Sequence, residues 1–419
     1  MHGVIMAEPG PPCTTRRSVW QTCAMSLSAE QIHVELAALL ETRSASSSST
    51  VLGAGSDDLE AGRIYLETLV AGGWMVPEWP TGHGGRDADT AEAALIAEAL
   101  GRYQTADLYP YGVGLNLVGP VLLARGTNGQ KQRWLRPIAD GSEVWCQMFS
   151  EPDAGSDLAN AGMRAERDGD EWVLNGSKVW TSRGTYSTWG MCVARTDAAL
   201  PKHRGLTMFA VDMSSPGIEV RPLEQMNGDQ HFTEVFVTDV RVSDENRLGE
   251  LGDGWGITVE TLAHERATIG GRAFGGGDDS DVGLPSWLEA WRGSGRLVDP
   301  VARQAAMRAY VLHRVNQLAT MRAVHLARGG APGPEGSGAK LRSATAFKAR
   351  TCLGKNLAGA AGMLVDSPGH LGFMTAPSMS IRGGTDEVQR NIVGERVLGL
   401  PREPSVDRDL PYSDLKRSR

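Results

Sequence analysis

A chain of 419 residues has room for two or three domains of about 150 residues each, or one large multilayer unit, and excludes a peptide or a single small module. With 41% hydrophobic and 22% charged residues the composition is that of a globular protein able to bury a sizeable core. Forty-two basic against fifty acidic residues leave a formal charge of −8, and no basic run is long enough to follow a phosphate backbone, which argues against nucleic acid as a partner.

The five cysteines, Cys13, Cys23, Cys146, Cys192 and Cys352, are odd in number, lack a Cys-x-x-Cys spacing and have no histidine at zinc-ligand spacing. They read as reduced thiols of a cytoplasmic protein, with no metal site expected. No apolar stretch reaches the roughly 18 residues that span a bilayer, and residues 1–24 lack the apolar centre of a secretory signal. Residues 1–27 read as a disordered extension from an upstream start, because the helical pattern begins with the capped segment after Met25.

Residues 28–142 carry mostly helical periodicity, with Ile32, Leu36, Leu39 and Leu40 on one face and an apolar stretch following Asp89. Residues 143–255 change character. Trp172-Val-Leu-Asn-Gly-Ser-Lys-Val-Trp180 reads as a hairpin about an Asn-Gly turn, and short apolar runs follow between Gly, Pro and Asp punctuation. This middle third is expected to be an antiparallel β-domain. Residues 256–404 return to helical patterns, strongest at 299–327, 338–364 and 385–398, interrupted by Gly-rich loops at 270–283 and 329–338. Residues 405–419 read as a charged, mobile tail.

Three segments have residue types suited to holding a flat cofactor. The turn Phe149-Ser-Glu-Pro-Asp-Ala-Gly-Ser156 gathers small and hydroxyl residues at a strand end, where backbone N–H groups and hydroxyls point one way. Trp180-Thr-Ser182 puts an indole beside two hydroxyls, a platform for a conjugated ring. Gly383-Gly-Thr-Asp-Glu387 opens a helix at Thr385, with glycines allowing close approach to free N–H groups. Each segment alone also fits an ordinary loop, a core tryptophan or a well-capped helix.

Together these landmarks, with Gly73-Trp74 through Gly85, Ala194-Arg-Thr-Asp197 and Leu398-Gly-Leu-Pro401, run in order over a chain that resembles the acyl-CoA dehydrogenases from about Ser28 to Pro404. The resemblance implies an α+β fold: an N-terminal helical domain, a central antiparallel β-domain and a C-terminal four-helix bundle. It implies FAD and an acyl-CoA thioester held between the last two domains. It also implies a tetramer and an electron-transfer flavoprotein as acceptor. Carried over by position, Phe149, Ser150, Gly155 and Ser156 contact the flavin, with Ser156 also near the CoA arm of the substrate. Trp180, Thr181 and Ser182 line the ring, and Gly384, Thr385 and Glu387 meet the phosphate and adenosine arm.

Desaturation removes an α-proton while hydride leaves Cβ for flavin N5, and it needs a partly desolvated carboxylate. Many relatives place it immediately before the Gly-Thr of the last motif, where this chain has Gly383. A minority branch takes it from the first helix of the C-terminal domain. There this sequence has Glu265-Arg266, with Leu262 three residues before and Ile269 four after on the same stripe. Glu265 is the expected base, and Arg266 is expected to face the CoA portion of the substrate.

The cross-subunit arginine of relatives has no clear counterpart; Arg292, Arg296 and Arg303 compete for it. The Ile381-Arg-Gly-Gly-Thr385 motif and the Leu-Gly-Leu-Pro ending look like actinobacterial members, some of which are heterotetramers acting on steroid or branched acyl-CoAs. The leading expectation is therefore an FAD-dependent acyl-CoA dehydrogenase, homo- or heterotetrameric. The alternatives are a structural subunit of a heteromer, and an oxidase or monooxygenase on the same fold.

Overall fold

The structure is a computed structural model that describes residues 27–40, 58–103, 105–271, 285–327, 334–365, 367 and 369–415. The first helices start where the sequence supplies side-chain caps. Ser28 caps α1 (Ala29–Leu39) in a reciprocal box with Gln31. Asp58 caps α2 (Leu59–Val70) and Asp89 caps α3 (Thr90–Leu100). After the short α4 (Gly119–Arg125), Thr127 and Gln130 form a second box at α5 (Asn128–Asp140), which ends on Gly141 at φ 75°. Ile32 and Leu36 turn inward from α1, whereas Leu39 is exposed, so the buried stripe is narrower than the sequence pattern implies. On α3 the buried residues include Ile96 and Ala99, and Leu95 lies outside.

The middle of the chain forms one sheet. Its strands are β1 (Trp145–Met148), β2 (Arg164–Asp168), β3 (Glu171–Ser182), β4 (Trp189–Arg195), β5 (Leu206–Asp212), β6 (Ile218–Leu223), β7 (Phe232–Ser243) and β8 (Arg247–Leu248). The order is β6-β7-β3-β2-β4-β5-β8, with β1 beside β4. Pairing is mainly antiparallel, as expected, but β1 and β2 each meet β4 in parallel.

The expected hairpin at Asn175-Gly176 does not form. β3 runs straight through it, and the reversal falls one turn earlier, between Asp168 and Glu171 at Gly169 (φ 64°). Asn175 spends its amide across the sheet instead: its Oδ1 accepts from the Asp239 N–H at 2.9 Å and its Nδ2 donates to Asp239 Oδ1 at 3.0 Å. Here Asn175 of β3 faces two residues of β7, Thr238 and Asp239, so the extra residue of this bulge lies on β7.

Both faces of the sheet are covered. One packs against the N-terminal helices through Leu66, Trp79, Trp134, Trp145, Met191 and Met208. At its centre Trp134, Trp145 and Trp189 meet with ring centroids 5.4–5.8 Å apart. The opposite face is filled by Met148, Leu174, Cys192, Phe209, Val235 and Val237. Burial raises the thiols of Cys146 and Cys192 to about 12 and about 11, so both are inert at neutral pH.

The last third is helical: α6 (Gly254–Gly271), α7 (Ser286–Gly293), α8 (Pro300–Ala327), α9 (Glu335–Ala358), α10 (His370–Thr375) and α11 (Asp386–Ile392). Of the two expected Gly-rich loops, residues 272–284 and 328–333 lie outside the described residues, as do residues 1–26. Glu335–Gly338, assigned to the second loop from sequence, opens α9. The tail expected to be mobile is held against the sheet. Tyr412 is buried, with the Arg195 guanidinium 3.8 Å from its ring centroid, and its N–H donates to Leu200 O at 2.9 Å. Lys202 bridges Asp157 and Asp407, each at 2.9 Å.

Candidate active site

The site lies where β1, β3, α6 and the turn before α11 meet. α6 enters it through a packed face. Thr258 and Thr261 are fully buried, and their hydroxyls donate to the carbonyls of Gly254 and Ile257 at 2.7 and 2.8 Å, which leaves no polar group of that face unsatisfied. Leu262 packs on the core, and Glu265, one turn beyond Thr261, continues the same stripe. Glu265 is half-buried, and Gln147 Nε2 on β1 donates to its Oε2 at 3.4 Å. The opposite side of α6 is tied to α4 by Arg125 Nε and Glu260 Oε2 at 2.6 Å, which fixes the helix rotation. The side chains of Arg266 and Ile269 lie outside the described residues.

The turn after β1 is built around a buried ion pair. Lys178, fully buried, donates to Glu151 Oε1 at 2.7 Å and to the Phe149 carbonyl at 3.0 Å. The Glu151 carboxylate also accepts from the N–H groups of Gly162 and Met163 at 2.7 and 3.0 Å. Val179 N–H donates to Ser150 O at 2.8 Å, so turn and strand move as one piece. Phe149 faces the core, whereas Gly155 and Ser156 are exposed at the turn's tip, where nothing lies within 4 Å of a Cβ added at Gly155.

β3 is distorted beside this turn. Trp180 and Arg183 have positive φ, 61° and 56°, and the β3–β7 register slips between Lys178 and Thr181. Such backbone is costly for non-glycine residues and persists only where neighbours enforce it. Its effect is to turn the Trp180 indole outward, 59% exposed, while Thr181 is fully buried with its Oγ1 unpartnered among the described residues. Ser182 hydrogen-bonds the hydroxyl of Tyr109, and the Arg183 guanidinium sits 4.2 Å from the Tyr109 ring centroid. Burial pushes the Tyr109 phenol up despite both neighbouring guanidiniums, Arg382 and Arg183, so it stays protonated. His231 Nδ1 is 2.7 Å from Asp229 Oδ2; burial outweighs that carboxylate and lowers the imidazole's pKa.

Gly383 and Gly384 both have positive φ, 66° and 88°, and Thr385 caps α11 by accepting from the Val388 N–H. The two acids of this turn divide. Asp386 points inward to Lys340 at 3.2 Å and Lys348 at 3.6 Å, while Glu387 faces outward. Arg382, immediately before the glycines, reaches the Tyr109 and Glu265 side of the site.

Ser182 hydrogen-bonds Tyr109, and Arg382 and Glu265 are near enough to act on that phenol electrostatically. Trp180, Thr181, Ser150 and Phe149 share the adjoining stretch of β3 and the β1 turn. Gly384, Thr385 and Glu387 extend outward from Arg382. The sequence reading missed Tyr109, Gln147, Arg183 and Arg382; only Arg382, next to the Gly383 position, carried a local signal. An outward indole beside an unpartnered hydroxyl fits a flat conjugated ring with a hydrogen-bonding edge. The open tip at Gly155 leaves room for its polar arm, whereas at Gly384 the Gln389 amide nitrogen lies 2.5 Å from where a Cβ would sit. Among the described residues no cluster fits a metal ion, and no helix is long and apolar enough to cross a membrane.

The N-terminal, middle and C-terminal domain models of acyl-CoA dehydrogenases match residues 34–142, 146–240 and 252–398. Acyl-CoA dehydrogenase IpdE1 of Mycobacterium tuberculosis is 36% identical over 362 residues, covering 84% of this chain and 91% of that protein. The solved Tcur3481-Tcur3483 steroid ACAD superposes with a TM-score of 0.69 at 27% identity, covering 82% of this chain and 90% of that one. The ChsE4-ChsE5 complex from Mycobacterium tuberculosis gives 0.68 at 26%, covering 90% and 97%. The chain belongs to the acyl-CoA dehydrogenase family of flavin-dependent oxidoreductases.

Proposed function

We propose that the protein converts an acyl-CoA thioester to its trans-2-enoyl-CoA, with Glu265 taking the α-proton and FAD lying along Trp180, Thr181 and Ser182. The observation that supports this reading is Glu265, half-buried on the packed stripe of α6 and meeting Gln147 of β1 at 3.4 Å beside the turn that carries Phe149 and Ser150. When bound, FAD supplies the two-electron acceptor for the β-hydride. Every other task falls to the chain. Glu265 receives the proton as the α C–H bond breaks, and its half-buried position limits competition from water. Gln147 restrains the carboxylate through Oε2. Phe149, Ser150, Gly155 and Ser156 bracket the cofactor, with Ser156 toward the CoA arm. Gly384, Thr385 and Glu387 take the phosphate and adenosine side.

Electrons then pass to an electron-transfer flavoprotein, and the working unit is a homotetramer or a heterotetramer with a related chain. An exposed apolar row on α8, Val311, Val315 and Leu318, supports assembly through that helix. The two-component Tcur3481-Tcur3483 and ChsE4-ChsE5 neighbours favour the hetero-oligomer, and the first of these being a steroid ACAD makes a steroid-derived acyl group the first substrate to try.

The test is an anaerobic titration of the holoprotein with short, branched, long and steroid-side-chain acyl-CoAs, following the flavin absorbance. Wild type bleaches with one class. Glu265→Gln stays yellow and still binds the thioester, and full reduction of that variant would overturn the assignment of the base.

A further inference from the structure

Arg382 has binding capacity that the reaction above leaves unused. Its turn is fixed: the backbone N–H donates to Ser378 O at 2.9 Å, and Nη2 donates to Ser378 Oγ at 2.5 Å. Nε and Nη1 are buried, and no described residue accepts from either. A guanidinium stays charged even when desolvated, so these nitrogens present positive charge and N–H groups to the inside of the site. Their neighbours there are the Tyr109 hydroxyl, which hydrogen-bonds with Ser182, and Glu265, whose carboxylate accepts from Gln147. Arg183 adds a second buried guanidinium on the Tyr109 ring, and the nearby Asp229 carboxylate is engaged by His231. Nε and Nη1 of Arg382 are therefore two buried N–H donors to which no described residue supplies an acceptor.

A plain alkyl chain cannot supply that acceptor. It would leave two N–H groups of a buried cation facing hydrocarbon, where an unpaired polar group is strongly penalised. We propose that the acyl group this enzyme accepts carries its own oxygen acceptor beyond the reacting carbons, a carboxylate or a ketone, and that Arg382 receives it beside Tyr109. Arg382 is then a specificity-determining residue. The inference rests on the acyl-CoA reading above and names the class of acyl group within it.

The experiment uses holoprotein and three acyl-CoAs of matched length: unsubstituted, carboxylate-ended and ketone-bearing. Dissociation constants come from the perturbation of the flavin spectrum with non-oxidisable thioether analogues, and anaerobic reduction is followed in parallel. Wild type is expected to bind an oxygenated analogue about 10- to 100-fold more tightly than its alkyl twin, the range for a hydrogen bond to a charged group. Arg382→Met should bring that ratio to about one. Arg382→Lys should keep part of the preference for carboxylate, and it serves as the second variant where Met disturbs folding.

A wild-type preference for the alkyl analogue overturns the proposal. So does an unchanged ratio in Arg382→Met, or equal weakening of all three ligands with loss of FAD, which would assign Arg382 to the cofactor or to Glu265. If no thioester bleaches wild type while the binding ratio holds, the dehydrogenase reading fails and the Arg382 subsite stands.

Discussion

Gln147 on β1 and Glu265 on α6 meet across the seam between the sheet and the C-terminal helices, amide nitrogen to carboxylate oxygen at 3.4 Å. The contact is long for a hydrogen bond, so its role is to orient the carboxylate more than to stabilise its charge. Gln147→Leu should lower the rate of flavin reduction about tenfold while leaving acyl-CoA affinity close to wild type. Gln147→Glu should be far slower, because a second carboxylate repels the first and competes for the same proton. Stopped-flow reduction at saturating substrate separates the two, and equal rates would remove Gln147 from the site.

Lys178 supports the turn on which the cofactor reading depends. It is fully buried, and its partners are the Glu151 carboxylate and the Phe149 carbonyl. Lys178→Met leaves Glu151 without its cation and should cost about 3–5 kcal/mol of stability, the usual penalty for stripping one partner from a buried pair. Lys178→Met/Glu151→Gln should be less damaging than the sum of the single changes, as expected for groups in contact. Urea unfolding of the four proteins measures both, and strict additivity would contradict the pairing.

Asp244 gives a pH signature outside the site. The hydrogen bond from Arg247, followed by that from Trp172 Nε1 at 2.7 Å, holds its carboxyl down to about 2. A carboxyl depressed in the folded state binds protons less readily there than in the unfolded chain. Its stabilising contribution is complete above the ordinary carboxylate range and is lost as pH falls through about 2. The stability difference between wild type and Asp244→Asn should therefore shrink as pH drops from about 5 toward 2, as read from urea midpoints. A difference independent of pH would show that the carboxylate charge is not what Arg247 holds.

What the sequence disclosed follows from how local each signal is. A cap depends on residues three apart: the one expected at Thr385 forms, and the capped helix expected after Met25 begins at Ser28. The Asn175-Gly176 reversal failed because a distant residue, Asp239, offered the amide a better partner than its own turn. The half-buried position of Glu265 was legible through the stripe it shares with Leu262. Tyr109, Gln147 and Arg382 were not, since their meeting is created by three separate parts of the chain closing on one point. Nothing in the immediate surroundings of Tyr109 distinguishes a site phenol from a core one.

The docking of the last described residues also bears on how the protein is made. During synthesis the β-sheet emerges well before residues 407–413, and until they arrive the Arg195 guanidinium has no aromatic ring above it and Lys202 can pair with Asp157 alone. The sheet can fold on its backbone pairings in the meantime, because Arg195 already donates to the carbonyls of Ala159, Ala161 and Lys202. What it lacks is cover over a patch of its surface, a state in which nascent chains are prone to wrong contacts. Maturation of the middle domain thus ends only when the ribosome has delivered a strap encoded after the last helix.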